Sequence, residues 1–301
     1  MIKAALSGAE PFLVRPRRSA LYMPASNQRA MDKAQKLPAD VIIFDLEDAV
    51  APGQKAAARE LLQRQLAVAD YGDRELVVRV NGVDSEWFRA DLEAAAELPI
   101  AAVALPKVEG REDVERALEI LESSSPRAAS LSIWPMIETP AGVWAVREIA
   151  ASAACVDCLV MGTSDLAKEL NLPSTADRAG LLYSLSHCVL AAREQGIDIL
   201  DGVCLNLDDE ALLLQQSEQG RALGFNGKTL IHPAQLEVSH HVYGVDAGTL
   251  QRAEAIVAAW REAEQAGSAL VVLEGKLVES LHVEQAQALL QMAEAISVRG
   301  Y

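Results

Sequence analysis

The sequence predicts an α/β protein, a (β/α)8 TIM barrel followed by a C-terminal helical lid segment. Three observations carry that expectation. The run Val41-Ile-Ile-Phe-Asp-Leu-Glu-Asp48 is apolar and rich in β-branched residues until it ends in Asp45, Glu47 and Asp48, which is how a strand buried on both faces reads when its far end opens into a polar site. Seven further apolar runs, each followed by a helical pattern at spacings of roughly 25 to 40 residues, give the β/α alternation of a parallel sheet. Half of the 301 residues are hydrophobic while only 4% are aromatic, and Ala and Leu dominate between the runs, as in Ala-rich helices.

Taken in order, Arg18–Pro24 reads as the first strand, with Ser26 or Asn27 able to cap a helix striped by Met31, Ala34 and Leu37. The opening run is the second strand, and a helix from Pro52 through Lys55, Arg59, Leu62 and Leu66 reaches a turn at Asp70–Gly72. Glu75–Asn81 is the third strand and precedes a helix over 86–98; Ile100–Val108 is the fourth, with a helix over 112–122. Ser132–Thr139 is the fifth, containing Pro135, and leads into a helix over 143–151. Cys158–Asp165 is the sixth, and a loop through Pro173 and Arg178 delays its helix until Leu181–Gln195, closed by Gly196. Asp198–Leu205 and Gly224–Pro233 carry the last two strands, with a helix over 208–223 between them. Eight repeats favour closure, and neither a Gly-x-Gly-x-x-Gly turn nor a Walker A loop marks an open nucleotide-binding sheet.

The expected organisation is an N-terminal extension over 1–17, a barrel over 18–243 and a tail over 244–301. That tail holds a helix from Thr249 to Ala266, an apolar piece from Leu270 to Val278 with a turn at Gly275, and a helix over 283–296. Fifty-odd residues bury little core alone, so the tail is expected to dock on the barrel, on another subunit or over the site.

The net charge of -16 excludes a general affinity for nucleic acid or anionic membranes. No apolar run is long enough to span a bilayer and the start lacks a secretory h-region, so a cytoplasmic protein is expected. Cys155, Cys158, Cys188 and Cys204 read as buried thiols, since the one CxxC spacing has no second pair. The early basic cluster, which includes Arg18, Arg29, Lys33 and Lys36, is either a solvated face or a site for an anionic, nucleotide-bearing ligand.

Barrel sites form at the carboxyl ends of the strands, so the ionisable residues there can be collected. They are Asp45, Glu47 and Asp48, then Arg79, Lys107, Glu138 and Asp165, and finally Lys228 with His232. Converging acids need a cation, and oxygen ligands select a hard one such as Mg²⁺, for which Glu138 and Asp165 on adjacent strands are the candidate pair. Arg79 inside an apolar strand needs an anion, either a carboxylate such as Glu47 or the carboxylate of a substrate. Lys107 in this acidic mouth reads as ion-paired rather than as a Schiff-base lysine.

These motifs, Arg18-Ser-x-Leu-Tyr-x-Pro24, Asp45-Leu-Glu-Asp-Ala49, Val78-Arg-Val-Asn81, Ile137-Glu-Thr139, Gly162-x-x-Asp-Leu166 and Gly224-Phe-x-Gly-Lys228 with Ile231-His-Pro233, together resemble the citrate lyase beta-subunit and malyl-CoA lyase family. The resemblance implies a Mg²⁺-dependent barrel cleaving a 3-hydroxy-acyl thioester (malyl-, citramalyl- or citryl-like) into a 2-oxo acid and an acyl-CoA. It implies Glu138 and Asp165 as metal ligands, Glu138 beside the substrate, Arg79 on the oxo acid and the enolate, and Glu47 and Asp48 near the metal. Arg18, Arg29, Lys33 and Lys55 would meet the coenzyme A phosphates. It also implies a trimer or hexamer whose tail covers a neighbour's site. The lyases carry a catalytic Asp in a Gly-Lys-Met-Ile-Asp tail pattern, where this chain has Gly275-Lys-Leu-Val-Glu279, so Glu279 is the expected proton carrier. The alternatives are a citrate lyase subunit acting on an acyl-carrier thioester, a noncatalytic binder of Mg²⁺ and oxo acid, and a metal-dependent aldolase of free acids.

Overall fold

Eight parallel strands close on themselves in sequential order, from β1 (Ser19–Pro24) through β2 (Val41–Asp45), β3 (Glu75–Arg79), β4 (Ala102–Leu105), β5 (Ser132–Ile137), β6 (Cys158–Met161) and β7 (Asp198–Asp201) to β8 (Gly227–Leu230), which pairs back onto β1. This computed structural model describes residues 15–265 and 271–299. Most of the expected N-terminal extension lies outside them, as do Ala266 and Leu270. The chain divides into two compact units, one spanning Arg17–Tyr243 and the other containing the tail from Gly244.

Alternation along the strands builds two apolar layers. Ala20, Ile43, Val77, Trp134, Met136 and Val160 fill the barrel interior. Their neighbours Leu21, Phe44, Val78, Val103, Ile133 and Leu159 face outward into the larger layer beneath the helices. Those helices are α1 (Gln28–Ala34), α2 (Lys55–Leu66), α3 (Phe88–Ala96), α4 (Arg111–Ser124), α5 (Pro140–Ala150), α6 (Thr163–Glu169), α7 (Leu182–Gln195), α8 (Glu210–Leu223) and α9 (Leu236–Tyr243).

The strands end earlier than the apolar runs suggest, and the reason is local. Asp45 accepts hydrogen bonds from the backbone N–H groups of Glu47 (2.8 Å) and Ala49 (2.9 Å), turning the chain out of β2 before Glu47. After β6 no delay occurs: α6 starts at Thr163, and the loop with Pro173 and Arg178 separates it from α7. Asp165 therefore lies in the first turn of a short helix, not at the end of a strand.

In the second unit, α10 (Ala247–Gln265) and α11 (Ser280–Val298) pack around the hairpin β9 (Val271–Leu273) and β10 (Lys276–Val278), sharing a small core with Val257, Val271 and Val283. Glu274 (φ 51°) and Gly275 (φ 76°) form the hairpin's two-residue turn, both in the left-handed region such a turn requires. No helix among the described residues is long and apolar enough to cross a membrane.

Candidate active site

Asp45 and Arg79 end neighbouring strands in register. The guanidinium forks onto the carboxylate through Nε and Nη2, each at 2.7 Å, and lies over the Tyr22 ring at 4.8 Å. Its Nη1 corner stands 3.0 Å from Glu47 Oε2 and 3.3 Å from Asp48 Oδ2. Glu47 is the carboxylate the sequence suggests for Arg79, yet Asp45 takes the fork. Because paired strands hold opposite positions on the same side, the register of Asp45 and Arg79 is the signal that finds this pair. Burial works against the charge of Arg79, but Tyr22, Asp45 and Glu47 outweigh it and hold its pKa high.

Lys107, after β4, links this corner to the next. Its backbone is left-handed (φ 53°), which turns its N–H onto Glu138 Oε1 (2.8 Å) while its Nζ reaches Glu47 Oε1 (2.7 Å). Burial lowers the lysine pKa, but pairing with Glu47 outweighs it and the net shift is upward, which suits an ion pair and opposes a Schiff-base role. Glu47 Oε2 is buried and receives no aligned hydrogen bond among the described residues. The Glu47 pKa is raised, chiefly by burial.

Glu138, one residue past β5, is only 2% exposed, and burial followed by repulsion from Glu47 pushes its pKa up to about 8. Its side chain lies across Gly162, where an added Cβ would stand 2.1 Å from Oε2, so only glycine leaves room for the carboxylate. Asp165 is half-buried. Both acids line a cavity of about 380 Å³, together with Tyr22, Asp45, Asp48 and Arg79, and with Val203, Leu205 and Ile231 on an apolar wall.

An acid this buried and this hard to ionise fits a site completed by a cation. The oxygen donors suit a hard ion, and Mg²⁺ commonly takes one or two protein carboxylates while keeping its waters. No group of three or more His, Cys, Asp or Glu in a ligating arrangement occurs among the described residues, which a zinc-type cage would need.

The coenzyme-binding expectations divide. Arg18 precedes β1 at the amino end of the barrel, buried and forked onto Asp40 at 2.8 Å through Nε and Nη2. It is a structural ion pair at the wrong end for a ligand at the mouth. Lys55 is also corrected: its buried ammonium donates to the carbonyls of Leu46 and Glu47, both at 2.7 Å, and so holds the loop after β2. Arg29 and Lys33 are exposed on α1, the helix that follows the carboxyl end of β1. Glu279 is exposed at the N-cap of α11 in the second unit, where its backbone N–H donates to His282 Nδ1 (3.0 Å). The four cysteines are unpaired thiols, three of them buried.

A closed α/β barrel with carboxylates and an arginine gathered at the carboxyl ends of its strands has the architecture of a barrel enzyme's active site. Residues 18–233 match the model of HpcH/HpaI aldolase/citrate lyase. The chain belongs to that family, as its motifs suggest. It is 47% identical to a (3S)-malyl-CoA thioesterase of Cereibacter sphaeroides, covering 94% of this chain and 96% of the relative. It is 32% identical to the citrate lyase subunit beta of Escherichia coli over 99% of both chains. Among solved structures it is similar to CitE of Mycobacterium tuberculosis in complex with magnesium, acetoacetate and coenzyme A, at TM-score 0.74 and 31% identity, covering 92% of this chain and 97% of that one.

Proposed function

We propose that this protein is a Mg²⁺-dependent enzyme acting on coenzyme A thioesters of 3-hydroxy dicarboxylic acids, malyl-CoA in type, and that its principal reaction is hydrolysis of the thioester. The observation that carries the reading is a nearly full-length likeness to relatives named as malyl-CoA thioesterases, at 45 to 47% identity. Glu279 supports it, because a carboxylate one methylene longer than the lyases' Asp is placed differently for returning a proton to carbon. Carbon–carbon cleavage into an oxo acid and an acyl-CoA is the second reading, supported by the citrate lyase relatives and by a solved M. tuberculosis citrate lyase beta subunit complexed with oxaloacetate and magnesium.

Glu138 and Asp165 would hold the metal. Magnesium, when bound, neutralises the acidic mouth and polarises the substrate oxygens beside it. The Lys107 N–H fixes Glu138 Oε1, and Gly162 leaves the space that Oε2 occupies. Arg79, clamped by Asp45, presents a fixed positive charge to the distal carboxylate and to charge developing on the acyl group. Glu47 and Asp48 keep that corner acidic beside the metal ligands. In hydrolysis the carboxylate of Glu279, in the tail of a neighbouring copy, would take a proton from the attacking water as a C–O bond forms at the thioester carbon, the C–S bond breaks, and the sulfur leaves to be protonated as free coenzyme A. In cleavage Glu279 would accept the 3-hydroxyl proton, the bond between C2 and C3 would break with its electron pair passing into the thioester enolate, and Glu279 would deliver that proton to C2. We further propose a homotrimer or hexamer in the cytoplasm, with each tail as a lid over a neighbour's site.

The deciding experiment incubates the protein with malyl-CoA and MgCl₂, then repeats the incubation with excess EDTA. The expected result is EDTA-sensitive release of one free thiol per malate, with no glyoxylate. Glyoxylate and acetyl-CoA without free thiol would select cleavage, and no turnover of either kind would overturn the enzymatic reading.

A further inference from the structure

Behind the wall that carries Asp165 lies a second, fully enclosed set of charges. Asp201, the last residue of β7, is 0% exposed, as is Lys228 on β8. Arg178 Nη1 donates to both Asp201 oxygens at 2.8 and 2.9 Å, and Lys228 Nζ lies 3.0 Å from Oδ2. Arg178 is buried among exposed neighbours, Pro173–Asp177 before it and Ala179 and Gly180 after it, and its backbone is left-handed (φ 48°). The rest of its guanidinium is bound to α8, through the Gln219 side chain (2.8 Å) and the Gln216 carbonyl (3.1 Å).

This cluster grips one residue through both of its backbone groups. The Gly202 N–H donates to Asp201 Oδ1 (2.8 Å), and the Gly202 carbonyl accepts from Lys228 Nζ. Thr163, the first residue of α6, packs so closely on Gly202 that an added Cβ there would stand 2.1 Å from Thr163 Oγ1. Thr163 lines the same cavity as Asp165, two residues further along that helix. Asp201 is thus linked to the first turn of α6 through Gly202 and, through Arg178, to the loop that follows that helix. Buried ion groups of this kind contribute little net stability compared with apolar residues of similar volume, so a geometric role is the better account of their presence.

We propose that Asp201, Arg178 and Lys228 are positioning residues that set the first turn of α6, and with it the Asp165 carboxylate, for a divalent cation shared with Glu138. The inference rests on the metal-binding reading above. The test is calorimetric titration of the intact protein with MgCl₂, with circular dichroism and a melting curve to establish that each variant is folded. Arg178→Gln and Lys228→Met are expected to weaken Mg²⁺ binding about tenfold, the scale on which outer-shell residues act on metal affinity. Thr163→Ala removes the side chain that meets Gly202 without touching the ions, so it carries the same expectation should the charge variants fail to fold. Glu138→Gln separates the two readings. If it abolishes Mg²⁺ binding while the folded positioning variants stay within about twofold of the wild type, the cluster is only structural and this inference falls. If the wild-type protein itself binds no Mg²⁺, the metal reading falls and takes this inference with it.

Discussion

The barrel has one buried ion network at its floor and another lining the mouth cavity, with β3 supplying Glu75 to the first and Arg79 to the second, and the two differ in whether they are complete. At the amino end Arg17 forks onto Glu75 at 2.8 Å, reaches Asp157 Oδ2 (2.8 Å), Asp198 (3.1 Å) and the Asp157 carbonyl (3.3 Å), and lies over the Trp134 ring at 4.7 Å. Every N–H of that guanidinium has an acceptor. The excess acid is partly hydrated, because the Asp157 and Asp198 side chains keep 38% and 31% of their exposure. At the carboxyl end the excess acid is Glu138, at 2% exposure, beside a buried Glu47 oxygen that lacks an aligned donor. A satisfied network closes the floor and an unsatisfied one opens onto a cavity, which is the division between stability and function that such barrels show.

The largest test of this contrast is Glu138→Gln. It should lower Mg²⁺-dependent turnover on the order of a thousandfold, ~4 kcal/mol of transition-state stabilisation. The same substitution should change the pH dependence of stability in the opposite sense to an ordinary acid. Glu138 titrates near 8 in the folded protein against about 4.5 ordinarily, so its favourable contribution is full below 4.5 and is lost as pH rises through 8. Without Mg²⁺ the wild-type melting temperature should fall across that window relative to that of Glu138→Gln, by an amount reflecting a few kcal/mol, while His240, which burial lowers to about 4, adds an opposite slope to both proteins. The Asp198 pKa is also raised, chiefly by burial, and its share of the slope should persist in the variant. An unchanged slope in Glu138→Gln would mean that the mouth is not the unsatisfied end.

Arg17→Met tests the floor. It leaves Glu75 buried without its fork, a loss of about 3–5 kcal/mol, and should lower the melting temperature by roughly 10 °C at the 2–4 °C per kcal/mol usual for this size. Calorimetric Mg²⁺ affinity at a temperature where the variant is folded should not move. A parallel fall in affinity would show that the two ends are coupled and would break the comparison.

Much of this division can be read from the sequence, and the parts that cannot have physical reasons. Most of the strands follow from apolar runs, because a strand covered on both faces has no polar alternation to confuse it, whereas β8, Gly-Lys-Thr-Leu, follows from the β/α rhythm. The ionisable residues at the strand ends mark the mouth. The floor was equally legible in principle, since Glu75 and Asp198 open β3 and β7 while Arg17 and Asp157 come just before β1 and β6. Arg18 illustrates the error that follows from grouping charges by sequence proximity: it shares a basic cluster with Arg29, but a strand's length separates them and places them at opposite ends. Lys55 was misassigned because its partners are backbone carbonyls, which no pattern of side chains reveals. Gly162 and Gly202 matter through close approaches between segments distant in sequence, and only coordinates show those.

The smallest expected effect concerns the cations that remain at the mouth. Arg29 and Lys33 lie four residues apart on one face of α1, near the end where β1 delivers the chain, and both are exposed. Exposed charges of this kind each contribute about 0.2–1 kcal/mol. The double variant Arg29→Ala with Lys33→Ala should therefore raise KM for a coenzyme A thioester by a few fold, ~1 kcal/mol in total, and leave kcat unchanged. The effect should shrink in 0.5 M salt, where the screening length falls to about 4 Å. It should vanish with an N-acetylcysteamine thioester, which has no phosphates to meet. Arg18→Ala should do the reverse, lowering the melting temperature through the stranded Asp40 and leaving KM alone. If Arg18→Ala instead raises KM selectively for the coenzyme A substrate, the amino end takes part in binding and the separation of the two networks is wrong.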